Sequence, residues 1–178
     1  MSVARLGRAL DRLYDAAGAL AALAIAGIAA LVCAQIALNA AARIGGAAWS
    51  RTIPSYAELA GYLLAAASFL ALAHTLRRGG HIRVTLLVGR LPPGPRRALD
   101  AAALGLATLA SAYAAVSMGR VLAESWRFGD TSPGLLAVPL WLPQAPVVLG
   151  LALLTLALAH TLAEVLATGR AVPSGEAE

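Results

Sequence analysis

The sequence predicts an all-α integral membrane protein. It should have four transmembrane helices, both termini in the cytoplasm, and a short amphipathic helix in the interface between spans two and three. Three observations carry this expectation. Of 178 residues, 60% are hydrophobic and only 13% are charged, about half the charged share of a soluble domain. The charges bound four uncharged runs long enough to cross a bilayer, which takes about 20 apolar residues as a helix. All 14 basic residues are arginines, and six of them (Arg77, Arg78, Arg83, Arg90, Arg96 and Arg97) fall within residues 77–97.

The whole chain, 1–178, reads as a single four-helix membrane domain. The first span, 16–38, carries no charge. Arg5, Arg8 and Arg12 precede it as they would a secretory signal, but the run exceeds the 7–15 residues of a signal core and reads as a retained anchor. The second span, 59–76, lies between Glu58 and Arg77, and the third, 101–119, between Asp100 and Arg120. A last uncharged run covers 131–163, with Pro133, Pro139, Pro143 and Pro146 in its first half. Because proline removes a helical hydrogen bond, the regular fourth span is placed at 143–163, after an irregular lead-in.

Orientation follows from arginine counting over short loops. Ten arginines fall on the side of the termini and the 77–97 loop, and four (Arg43, Arg51, Arg120 and Arg127) on the other. That puts the arginine-rich loop in the cytoplasm. Trp49, Trp126 and Trp141 then all fall at the outer boundary, where tryptophan concentrates. Within the loop, Val84, Leu87, Val88 and Leu91 form one aliphatic stripe at helical spacing, flanked by Arg83 and Arg90. This is the pattern of a helix lying on anionic phospholipid, ended by Pro92-Pro93-Gly94-Pro95.

The chemistry-bearing residues are sparse. Gly18, Ala22, Ala26 and Ala30 in span one, and Ser111, Ala115 and Gly119 in span three, are small residues at four-residue intervals, which suits close helix packing. Arg120 and Glu124 can pair one turn apart, in the less favourable order. The single cysteine, Cys33, excludes an intrachain disulfide. No phosphate loop, metal cluster, or nucleophile with a base occurs, so no enzyme, catalytic residue, metal or cofactor is expected. The arginines have no interleaved aromatics for a nucleic acid to stack on, and nucleic acid is not an expected partner. Two other classes stay open. His74 and His160 lie at similar depth and could together ligate a haem, as in a membrane redox subunit. A free-standing small membrane transporter is the other, although four spans without buried charge are poorly equipped for a polar solute.

The segment "SYAELAGYLLAAASFLALAHTLRRGGHIRVTLL", residues 55–87, resembles the small permease (DctQ-like) subunit of tripartite ATP-independent periplasmic (TRAP) transporters. An acid, Glu58, opens the second span, and Arg78, Gly80, His81, Ile82, Arg83 and Val84 match the motif that closes it. Ser132, Pro139, Trp141 and Pro143 match the family's approach to the fourth span. Ala57, Gly61, Ala71 and Thr85 depart from a pattern in which many members carry an acid, a base, a glycine and an acid.

The resemblance implies a small inner-membrane subunit that binds a large permease subunit. It would scaffold that subunit while an ion gradient drives uptake of an organic acid delivered by a periplasmic solute-binding protein. Glu58, Arg77, Arg78, His81, Arg83 and Arg90 are the candidate subunit-interface or membrane-anchoring residues. Arg43, Arg51, Arg127 and Asp130, on the outer side, are candidates for docking the binding protein.

Overall fold

A computed structural model describes residues 3–46, 49, 51–79 and 92–168 of the chain. Four helices account for most of them: α1 (Val3–Gly45), α2 (Tyr56–Arg77), α3 (Pro93–Phe128) and α4 (Trp141–Thr168). All four are long and apolar enough to cross a membrane. Each contains its expected span, and α1 and α3 run well past theirs. At 1.5 Å per residue the 43 residues of α1 extend about 64 Å, roughly twice the hydrocarbon thickness. The helix persists because no proline or glycine pair interrupts it before Gly45-Gly46.

The fourth helix begins two residues before its expected start. Pro143 falls within its first turn, where the missing N–H has no intrahelical acceptor to lose. Pro146 lies inside the helix. The lead-in, 129–140, is irregular as expected, and a single antiparallel bridge joins Thr131 to Pro139. The aliphatic stripe at 84–91, with His81, Arg83 and Arg90, lies outside the described residues.

The helices form a row rather than a closed bundle. The extended contacts are α1 with α2, α2 with α4, and α4 with α3, while α1 meets α4 only at one end. Chain order and spatial order therefore differ, with α4 inserted between α2 and α3. Two alanine-rich clusters hold the α1–α2–α4 part. In one, Tyr14 and Ala17 of α1 meet Ala73 of α2 and Leu153 and Ala157 of α4. In the other, Ala21 packs on Ala66 and Leu70. Small side chains let helix backbones approach where lipid supplies no hydrophobic drive between helices. At Gly150 of α4 two helix backbones come close, since the Phe69 backbone occupies the space a β-carbon would need.

The small-residue stripe expected on span one is only partly used. Gly18 faces α2, but Ala22, Ala26 and Ala30 are exposed. The packed face of α1 runs instead through Tyr14, Ala17, Ala21 and Gln35. A four-residue repeat drifts around a helix of 3.6 residues per turn, whereas this set, spaced by three, four and then fourteen residues, holds one face. On α3, Ser111 is buried and its hydroxyl lies 2.9 Å from that of Thr155 on α4. Arg120 and Glu124 form no ion pair and are exposed. Cys33 is an exposed free thiol on α1.

Candidate functional site

Polar side chains concentrate at the two ends of the row. At the end formed by the start of α1 and the last turns of α2 and α4, Arg77 is the centre. As the last helical residue of α2, it grips Glu164 of α4 with both terminal nitrogens, at 2.6 and 3.2 Å. It also donates to the Thr161 hydroxyl (3.3 Å) and lies 3.3 Å from Asp11 of α1. One guanidinium thus touches three helices. Its planar fork suits this, because bidentate pairing with a carboxylate fixes direction as well as distance.

A second acid, Asp15, stands one turn after Asp11 on the same face of α1. Its Oδ1 accepts from His74 Nδ1 and from Arg78, both at 3.0 Å. The His74 ring reaches it by lying flat against Gly18, where an added β-carbon would stand 2.7 Å from the ring. His160 completes the set, with Nε2 3.5 Å from Glu164 one turn along α4. Arg77 is mostly buried, at 20% side-chain exposure, while Glu164 and Asp11 are about half exposed, at 46% and 51%. Removing one partner of these pairs should therefore cost more than the 0–1 kcal/mol typical of open surface bridges and less than stranding a fully buried charge.

The opposite end is tied differently. Glu58, in the first turn of α2, accepts from Tyr62 at 2.7 Å and lies beside the hydroxyls of Ser55 and Ser132. Ser55 receives the Leu136 backbone N–H at 3.1 Å. Ser132 donates to the Leu136 carbonyl (3.0 Å), and its backbone N–H donates to the Val138 carbonyl (2.9 Å). The lead-in to α4 is thereby folded onto the start of α2. Gly134 sits directly against the Glu58 carboxylate, which occupies the space a β-carbon would take. Ser55 adopts left-handed backbone (φ 54°), costly for a residue other than glycine and kept only where surroundings over-determine it.

Two further bonds finish this end. Buried Gln35 accepts the Ile53 N–H at 2.9 Å, tying the residues just before α2 to α1. Gln144 donates to Ser125 at 3.0 Å, joining α4 to α3. Beside them Trp126 and Trp141 meet edge-to-face, their rings 4.7 Å apart.

Of the residues singled out from sequence, Glu58 and Arg77 each anchor one of these ties, and Arg78 joins the second acid. His81, Arg83 and Arg90 lie outside the described residues. Arg43 and Arg51 are exposed near the α1–α2 connection, and Arg127 and Asp130 are exposed at the end of α3. Arg43 on α1 and Arg127 on α3 sit on helices that share no extended contact. His74 and His160 each contact a carboxylate, which accounts for a histidine at either position. Sequence reasoning missed Asp11, Asp15 and Gly134. Two acids one turn apart at the foot of α1, facing a His-x-x-Arg-Arg at the foot of α2, were a readable signal. Among the described residues, no group of three His, Cys, Asp or Glu side chains is arranged to hold a metal ion.

Comparison with known proteins agrees with this geometry. No curated protein and no solved structure matches the chain. The family described as "Tripartite ATP-independent periplasmic transporters, DctQ component" matches residues 47–168. The match takes in α2, α3, α4 and the Glu58–Ser132 tie, and begins just after α1. The match covers more than half of the chain, which therefore belongs to the DctQ family, the small inner-membrane component of tripartite ATP-independent periplasmic transporters.

Proposed function

We propose that the chain is the fixed frame of its transporter. It would hold the large permease subunit in place while an ion gradient drives uptake of an organic acid brought by a periplasmic solute-binding protein. The observation that carries this is the combination of firm internal ties with uncovered outer faces. Three helices are joined at one end by a single guanidinium and at the other by a folded loop, so the row resists splaying. Meanwhile Leu106, Leu109, Tyr113 and Val116 on α3, and Leu20, Leu23 and Ile25 on α1, remain exposed. Such faces suit lipid or a flat apolar partner. Polar groups cluster at the row's two ends, which favours a frame over a solute path, since conduction sites put ionisable groups in the membrane interior.

In this proposal both termini and the 77–97 loop face the cytoplasm, as the arginine distribution favours. Arg78, His81, Arg83 and Arg90 anchor the row to anionic phospholipid or to the large subunit at that face. Arg43, Arg51, Arg127 and Asp130 face the periplasm, available to the binding protein. Glu58 and Arg77 serve indirectly, by setting the shape of the surface presented.

The test is co-expression with a candidate large subunit, followed by detergent pull-down and uptake in vesicles supplied with the binding protein. Recovery of a stable pair, with uptake only when all three parts are present, supports the frame. A chain that transports alone, or a large subunit that transports equally well without it, refutes it.

A further inference from the structure

A cleft between the first turns of α1 and the end of α2 has features that the frame does not use. Asp11, Tyr14 and Asp15 line one wall, and Arg77 and Arg78 the other. Tyr14 is 1% exposed, yet among the described residues its hydroxyl has no hydrogen-bond partner. A buried tyrosine normally finds one. Arg77 is turned toward Glu164, but Arg78 is 66% exposed and gives one hydrogen bond, to Asp15, from its five N–H donors. Asp11 is half exposed and holds only a 3.3 Å contact with Arg77.

The cleft therefore presents open carboxylate lone pairs, spare guanidinium donors and an unpaired hydroxyl within one small space. It lies where the apolar length of α1 begins, on the face that continues through Ala22, Ile25 and Ala26, all exposed. A ligand that satisfies all of these carries a cation with N–H donors, an anion, and an apolar tail. We propose that the cleft binds phosphatidylethanolamine. The primary ammonium donates to Asp11 and Asp15, the phosphate accepts from Arg78 and the Tyr14 hydroxyl, and an acyl chain runs along Ala22, Ile25 and Ala26.

Competing headgroups fit less well. Phosphatidylglycerol brings a phosphate to a wall holding two carboxylates and offers them no cation. Phosphatidylcholine has the charge, but its quaternary ammonium has no N–H to donate. A soluble phosphoethanolamine ester has the headgroup without the chain.

Native mass spectrometry of the purified full chain decides this, with phosphatidylethanolamine, phosphatidylcholine and phosphatidylglycerol offered at equal concentration. The first should be retained about tenfold better than either other lipid, the factor that one charge-assisted hydrogen bond supplies. Asp11→Asn should reduce that preference, and Tyr14→Phe should lower the retention of phosphatidylethanolamine itself. Tyr14→Phe should also leave melting in lipid-free detergent unchanged or raised, because it removes an unpaired hydroxyl. Phosphatidylethanolamine retained no better than phosphatidylcholine, a preference undiminished in Asp11→Asn, or retention undiminished in Tyr14→Phe would overturn the proposal. So would displacement by glycerophosphoethanolamine at matching concentration, which would make the ligand a soluble ester.

Discussion

The two ends of the row accomplish the same task by different physics. At the foot of α1, charge does it: Arg77 reaches Glu164, Thr161 and Asp11, and Asp15 takes His74 and Arg78. At the other end a single carboxylate, Glu58, gathers hydroxyls while a loop supplies backbone amides. The first arrangement tolerates adjustment, since long side chains can re-aim across a few ångströms. The second depends on shape, since Gly134 leaves room for the carboxylate and nothing more. The charged end should therefore weaken by degrees under substitution, and the shaped end should fail abruptly.

The sharpest break of that contrast is Gly134→Val. Its side chain would take the place of the Glu58 carboxylate and should destabilise the fold by about 2–3 kcal/mol, as overpacking does. Thermal melting in detergent should show the loss, and protease cleavage within 129–140 should rise with it. Arg77→Ala comes next, at about 2 kcal/mol, because it strands Glu164 at half the exposure of a surface group without fully burying it. The charge-swapped pair Arg77→Glu with Glu164→Arg should recover part of that melting loss. Full recovery is not expected, as Asp11 would then face a carboxylate.

Smaller effects sharpen the comparison further. Tyr62→Phe removes one hydrogen bond to a charged group and should cost about 1.5 kcal/mol in the same melts. Arg78→Ala should cost less than about 1 kcal/mol, because the Arg78 side chain is two-thirds exposed. If Arg78→Ala instead matches Arg77→Ala, the charged end works as one cooperative network rather than as a hub with a satellite.

How much was legible beforehand follows from the same physics. The spans could be read because lipid tolerates few charges, so uncharged runs mark them with little dependence on neighbours. Glu58 and Arg77 could be picked out because each bounds such a run. The helix order could not be read, because alanine-rich faces are nearly interchangeable by composition. The insertion of α4 between α2 and α3 rests on particular contacts such as Gly150 against Phe69. The small-residue stripe misled for a related reason, since a four-residue repeat suits packing without saying which face is packed. Asp11 and Asp15 were passed over because the foot of α1 was weighed for its arginines, as a topology signal. The partner acids also lie in the part of the chain that precedes the family match. Gly134 was unreadable, as its meaning depends on a carboxylate 76 positions earlier folding over it.

The central claim is that this row stays rigid while the transporter works. Ser111 on α3 and Thr155 on α4 offer a direct measurement, since their hydroxyls lie 2.9 Å apart. With Cys33 replaced by alanine, Ser111→Cys and Thr155→Cys can be oxidised to a disulfide in the assembled complex, and uptake can be compared before and after. The account predicts unchanged uptake with α3 locked to α4. Uptake that stops on oxidation and returns on reduction would show that these helices must move against each other, and would contradict it.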